Sequence, residues 1–107
     1  RLVALSQGAR CVWHAAGVLA DGLLPTQTAG GLARSYAPKV YGTWSLHRAC
    51  APLPLRTCAL FSSVAALLGG AGQANYSAAN TCLDALAACR RACGSAAASM
   101  KMGSMFW

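Results

Sequence analysis

Two short apolar runs, each followed by a stretch with helical spacing, restrict what this chain can fold into. The first is Cys11-Val12-Trp13-His14-Ala15-Ala16-Gly17-Val18. It is short and ends in small residues, which predicts a buried strand that delivers its C-terminal end to a site. The second covers residues 55–64 and holds Thr57-Cys58-Ala59-Leu60-Phe61 before the pair Ser62-Ser63, another strand by the same argument. Between them, Leu32, Tyr36, Val40 and Trp44 recur every fourth residue. That spacing predicts a helix over residues 32–51 with these four along one face, kinked or restarted at Pro38. Pro25 and Gly30-Gly31 mark boundaries before it, and Pro52 and Pro54 stop it. Gly69-Gly70-Ala71-Gly72 reads as a loop. From Asn75 or Tyr76 to about Ala92 the Ala-rich stretch predicts a long helix with Gly94 as its stop. A last strand is expected within residues 95–102. The order strand, helix, strand, helix, strand favours parallel strands with right-handed crossovers, an α/β doubly wound sheet. Ligands of such sheets bind at the strand C-terminal ends, where Gly17, Ser63 and Gly103 fall.

Composition narrows the partners. The chain has 107 residues, 56% of them hydrophobic, enough for one small folded unit and too apolar for a disordered tail. Only 10% are charged, against about 25% in an average domain, so part of the chain is expected to face other protein. Nine Lys and Arg against Asp21 and Asp84 give a net charge of +7. The basic residues are scattered, with no run interleaved with aromatics, so nucleic acid is not an expected partner. No apolar stretch reaches the roughly 18 uninterrupted residues of a membrane span, so no membrane partner is expected either. Cys11, Cys50, Cys58, Cys82, Cys89 and Cys93 accompany no visible secretory context. With His14 and His47 they make no zinc-site spacing. A reducing, cytoplasmic compartment and no metal are expected. The chain opens at Arg1 without Met and closes inside the apolar run Met102-Gly103-Ser104-Met105-Phe106-Trp107, and both ends read as cuts.

Tyr76 and Asn80, four apart on the long helix, share one face. A phenol titrates near 10 in its ordinary state and needs a nearby cation to act at neutral pH. Lys39 is the candidate cation. Ser63, at a strand end, has a hydroxyl suited to a substrate carbonyl. Each residue alone has an ordinary explanation: a packed aromatic, a turn or cap serine, a solvated lysine. Their joint arrangement carries the chemistry.

The segment Leu60-Phe61-Ser62-Ser63-Val64-Ala65-Ala66-Leu67-Leu68-Gly69-Gly70-Ala71-Gly72-Gln73-Ala74-Asn75-Tyr76-Ser77-Ala78-Ala79-Asn80 closely resembles the signature of modular polyketide synthase ketoreductases. His14-Ala15-Ala16-Gly17-Val18-Leu19 and Tyr36-Ala37-Pro38-Lys39-Val40-Tyr41-Gly42 match further blocks of that family in order, and the resemblance covers about residues 11–98. The family lies within the short-chain dehydrogenase/reductases, which implies a Rossmann-type sheet. The superfamily's usual Tyr-x-x-x-Lys is altered here, since Asn80 stands where Lys is usual; in these ketoreductases Lys and Asn exchange positions. The resemblance thus implies Tyr76 as proton donor, Ser63 as carbonyl-binding hydroxyl, Lys39 as the cation that also holds the nicotinamide ribose, and Asn80 as structural partner of the proton relay. Ala16 and Gly17 would contact the inner part of NADPH. The implied reaction reduces a β-ketoacyl thioester on an acyl carrier protein to the β-hydroxyacyl thioester. Leu19, Asp21, Leu68, Gln73 and Asn75 fall at substrate and stereocontrol positions. Leu19-Ala20-Asp21 resembles the Leu-Asp-Asp of B-type enzymes with its middle position changed, Leu68 replaces the Trp of A-type enzymes, and Asn75 leans to B-type. Ala71 stands where many B-type enzymes have Pro.

No Gly-x-Gly-x-x-Gly follows a strand in the chain, so the elements that would cradle a pyrophosphate are missing. The expectation is a partial ketoreductase domain over residues 1–107, the catalytic part without its N-terminal nucleotide-binding half. Its partners would be that half and the neighbouring synthase domains. Alone, the chain is expected to be inactive and to leave the edge of its first strand uncovered. The alternative reading is a non-catalytic structural or interaction remnant of such a domain.

Overall fold

The computed structural model describes residues 8–102. Three parallel strands, β1 (Cys11–His14), β2 (Thr57–Ser63) and β3 (Ala98–Met102), form one sheet in the order β1-β2-β3. A 3-10 turn at Leu24–Thr26 leads to α1 (Ala29–Tyr36), a π-helical turn (Ala37–Tyr41) and α2 (Gly42–Cys50), which together cross from β1 to β2. After β2 come the short α3 (Ala65–Leu68) and the long α4 (Ala74–Ala92), which crosses to β3. The expected alternation and parallel α/β sheet are therefore present. Neither the 3-10 turn nor α3 was expected from the sequence.

The apolar core lies between the start of β2 and the second half of α4, where Cys58 and Leu60 pack with Leu83 and Ala87, flanked by Leu55, Leu86 and Ala97. Gly94, at φ +79, ends α4 by turning the chain so that its N–H donates to the Arg91 carbonyl and that of Ser95 to the Arg90 carbonyl. Register sets the shape of the functional end. The β1–β2 pairing stops at His14 opposite Leu60, so Phe61, Ser62 and Ser63 run on beside β3 alone.

Two expectations need correction. The first strand ends at His14, before the predicted small residues, and its side chains alternate between exposed and half-buried. Trp13 is 63% exposed, and among the described residues β1 is paired on one edge only. On the first crossover the buried stripe is displaced by one residue from the apolar one. Gly31, Ser35, Lys39 and Thr43 point inward, whereas Leu32 is 44% and Trp44 53% exposed. This stripe of small and polar residues packs toward α4, with Lys39 and Thr43 reaching the ends of β2 and β1. Pro38 does restart the helix, as a π-helical turn rather than a simple kink.

Candidate active site

The site is built at the C-terminal end of β2, under the first turns of α4. Tyr76 is 3% exposed and Asn80 fully buried one turn below it. The Asn80 Nδ2 donates to the Tyr76 carbonyl at 2.9 Å. The Asn80 carbonyl accepts from Ser62 Oγ at 3.3 Å, tying the helix to the strand end. In the first turn, where backbone N–H groups lack partners within the helix, the Tyr76 N–H donates to Asn75 Oδ1 at 2.7 Å. These contacts fix the position of the phenol.

Lys39 arrives from the π-helical turn. The extra residue of such a turn re-aims side chains, and such turns concentrate at functional sites. Pro38 brings no N–H to that turn. The Lys39 ammonium is fully buried, donates to the Phe61 carbonyl at 2.9 Å and lies 5.7 Å from the centre of the Tyr76 ring. Burial lowers its pKa from 10.5 to about 8. His14 sits near it, its ring nitrogens 3.2 and 3.4 Å from Thr43 Oγ1. Burial, and then the Lys39 charge, holds the imidazole below its ordinary pKa.

Ser63 is both a turn serine and a site serine. Its Oγ accepts the Ala65 N–H at 3.1 Å, which leaves its own proton to donate elsewhere. Ser63 and Tyr76 line one cleft of about 300 Å³, together with Leu19 and Gln73. Among the described residues, the buried Tyr76 hydroxyl and Asn80 Oδ1 have no hydrogen-bond partner. An orphaned hydroxyl of that kind calls for a functional account.

A family profile described as "KR domain" matches residues 3–106. The chain belongs to the polyketide synthase ketoreductase family. Over 92 residues it is 52% identical to the polyketide synthase GfsA of Streptomyces halstedii, covering 86% of this chain and 1% of that protein. Over 102 residues it is 48% identical to the phthioceranic/hydroxyphthioceranic acid synthase of Mycobacterium tuberculosis, covering 95% and 5%. The solved structure of the first ketoreductase of the tylosin synthase superposes with a TM-score of 0.87 at 40% identity, over 94% of this chain and 23% of that one. A short-chain dehydrogenase/reductase of Burkholderia vietnamiensis gives 0.77 at 28% identity, over 94% and 51%. The ketoreductase chain thus spans a twentieth or less of these synthases and about a quarter of the tylosin structure.

The structure brings Lys39, Ser63, Tyr76 and Asn80 together. It also joins the segment around Asp21 to α4: Gln73 Nε2 donates to the Asp21 carboxylate at 3.3 Å, and Asn75 Nδ2 to the Ala20 carbonyl at 2.8 Å. The Gly22 N–H donates to the Gly72 carbonyl at 2.8 Å. Gly72 takes a φ of +68 here, in the left-handed region that favours glycine. Leu68 is 80% exposed and does not line the cleft of this ketoreductase fold. Ala16 and Gly17 are exposed beyond the end of β1. Gly103 lies outside the described residues. Sequence reasoning missed Ser62, Thr43 and Gln27. The i, i+4 series Gly31, Ser35, Lys39, Thr43 carried a signal for Thr43, whereas Gln27 announced itself through no periodicity.

Proposed function

We propose that this chain supplies the catalytic groups that reduce a β-ketoacyl thioester, carried on an acyl carrier protein, to the β-hydroxyacyl thioester with NADPH. Bound NADPH supplies hydride to the β-carbon, and Lys39, Tyr76, Ala16 and Gly17 would hold its nicotinamide end. The residues fit that end: a buried phenol hydroxyl without a partner among the described residues, beside a cation, at the C-terminal edge of a parallel sheet. The pyrophosphate cradle is supplied by chain outside these residues, which makes the chain part of a larger ketoreductase domain.

Ser63, its oxygen already engaged by the Ala65 N–H, donates its proton to the ketone oxygen and stabilises the charge that develops there. Tyr76 then gives its proton to that oxygen, completing the alcohol. The Lys39 ammonium stands 5.7 Å from the centre of the Tyr76 ring. Asn80 holds the turn that carries Tyr76. Leu19, which lines the cleft with Gln73, forms the wall that selects the face of the ketone, and the Leu19-Ala20-Asp21 and Asn75 positions favour the B-type product.

The orphaned Tyr76 hydroxyl on the cleft that Ser63 lines carries this reading. In the complete domain, given NADPH and a β-ketoacyl thioester analogue, Tyr76→Phe is expected to bring turnover to background with cofactor binding retained. Unchanged turnover rejects the mechanism. The chain alone is expected to bind no NADPH by calorimetry, and micromolar affinity would overturn the dependence on a further half.

A further inference from the structure

The geometry points to Gln27 as a positioning residue that sets how far the Leu19 wall stands from Tyr76, and so the stereochemical selectivity of reduction. This rests on the reductase reading above. Gln27 is half-buried just after the 3-10 turn, at the approach to α1. Its Nε2 donates to the Gly22 carbonyl at 2.7 Å, and its Oε1 accepts from Asn75 Nδ2 at 3.3 Å. One amide therefore clasps the segment that follows Leu19 with one end and the residue before Tyr76 with the other.

Both partners pass the constraint on. Asn75 holds the Tyr76 N–H with its oxygen and the Ala20 carbonyl with its nitrogen. Gly22 holds the Gly72 carbonyl with its N–H. Between Leu19 and Tyr76 the shortest route through hydrogen bonds runs by Ala20 and Asn75, and Gln27 braces both sides of it. A Cβ on Gly22 would come within 3.3 Å of Gln27 Nε2, so the glycine there lets the amide close on its carbonyl. The donor and acceptor must also be oriented as they are, since Gly22 offers a carbonyl and Asn75 an amide N–H. Only Gln meets both demands at this length; Glu, when ionised, has no donor. Gln27 touches neither the cleft nor the reacting atoms, so its effect travels through Leu19 and Tyr76.

Two variants in the complete domain test this. Gln27→Leu removes both bonds and is expected to lower the ratio of major to minor β-hydroxy stereoisomer about fivefold, the effect of one neutral hydrogen bond, with kcat changed by less than that ratio. Gln27→Glu should do the same at neutral pH, where a carboxylate opposes the Gly22 carbonyl. It should recover the parental ratio as the pH falls and the carboxyl regains its O–H. Independently of activity, hydrogen exchange of the Gly22 N–H should quicken in both variants relative to the distant Leu53 N–H, which bonds the Cys50 carbonyl. Unchanged exchange at Gly22 overturns the brace, and faster exchange with an unchanged stereoisomer ratio overturns its role in selectivity. A parent protein that reduces no β-ketoacyl thioester would sink the reductase reading instead, while the exchange comparison still decides what Gln27 holds.

Discussion

β2 and α4 lie along each other, and the two ends of their contact are held by different forces. At the start of β2, Cys58 and Leu60 meet Leu83 and Ala87, an apolar cluster with little to satisfy. At its far end, Ser62 and Ser63 meet Tyr76 and Asn80, with Lys39 inserted from the first crossover. The side chains there are as deeply buried as in the core, yet they are polar, and Tyr76 and Asn80 each keep one atom without a partner among the described residues. Burying such groups costs stability unless they are bonded. One end of the contact therefore stabilises the layer, and the other buries polar groups that are incompletely bonded among the described residues.

The widest separation between the ends comes from Tyr76. Tyr76→Phe should lower turnover by about a hundredfold or more, the range of a lost general acid. The same change should leave thermal stability equal or slightly raised, because the hydroxyl bonds nothing among the described residues. A clear fall in melting temperature would mean that the hydroxyl is structural and that the two ends are held alike. Leu83→Ala is the converse. Leu83 is 1% exposed in the apolar cluster, so truncation should cost about 2 to 5 kcal/mol by chemical denaturation. Residual folded protein should keep its kcat. A loss of kcat in the folded fraction would show that the apolar end tunes the site as well as supporting it.

The same division explains what was legible in the sequence. Apolar periodicity and glycine punctuation located β2, α4 and the stop at Gly94, because these elements obey burial and backbone sterics alone. The family blocks located Lys39, Ser63, Tyr76 and Asn80, and the fold gathers them. The first crossover misled, because the spacing at Leu32, Tyr36, Val40 and Trp44 marks exposed and half-buried positions there, whereas Gly31, Ser35, Lys39 and Thr43 turn inward. Periodicity reads apolar burial, and at a functional end the buried stripe is polar. β1 is present but shorter and more exposed than its apolar run implied, for a related reason. A continuous apolar run implies cover on both faces and both edges, and in the described residues only one edge is paired. The clasp made by Gln27 depends on a contact with Asn75 across the fold and has no local pattern at all.

The smallest of these effects, and the most informative about the polar end, is the response of Lys39 to pH. Its folded pKa is about 8, against an ordinary 10.5. Between those values the unfolded chain binds more protons than the folded one, so rising pH favours folding through this group. The proposed role needs the ammonium, so turnover should fall as pH rises through about 8. Stability and activity thus move in opposite directions across one window. Lys39→Met isolates the first effect: the variant should be more stable than the parent by a margin that is greatest below pH 8 and narrows toward pH 10.5. Tyr36 and Cys58, whose pKa values burial raises, weaken the fold as pH rises in both proteins and cancel in that difference. His14, held below its ordinary value of 6.5, stays neutral throughout the window. A margin that does not change with pH would mean that burial does not govern the Lys39 amine, and the polar end would then lack the cost that sets it apart from the core.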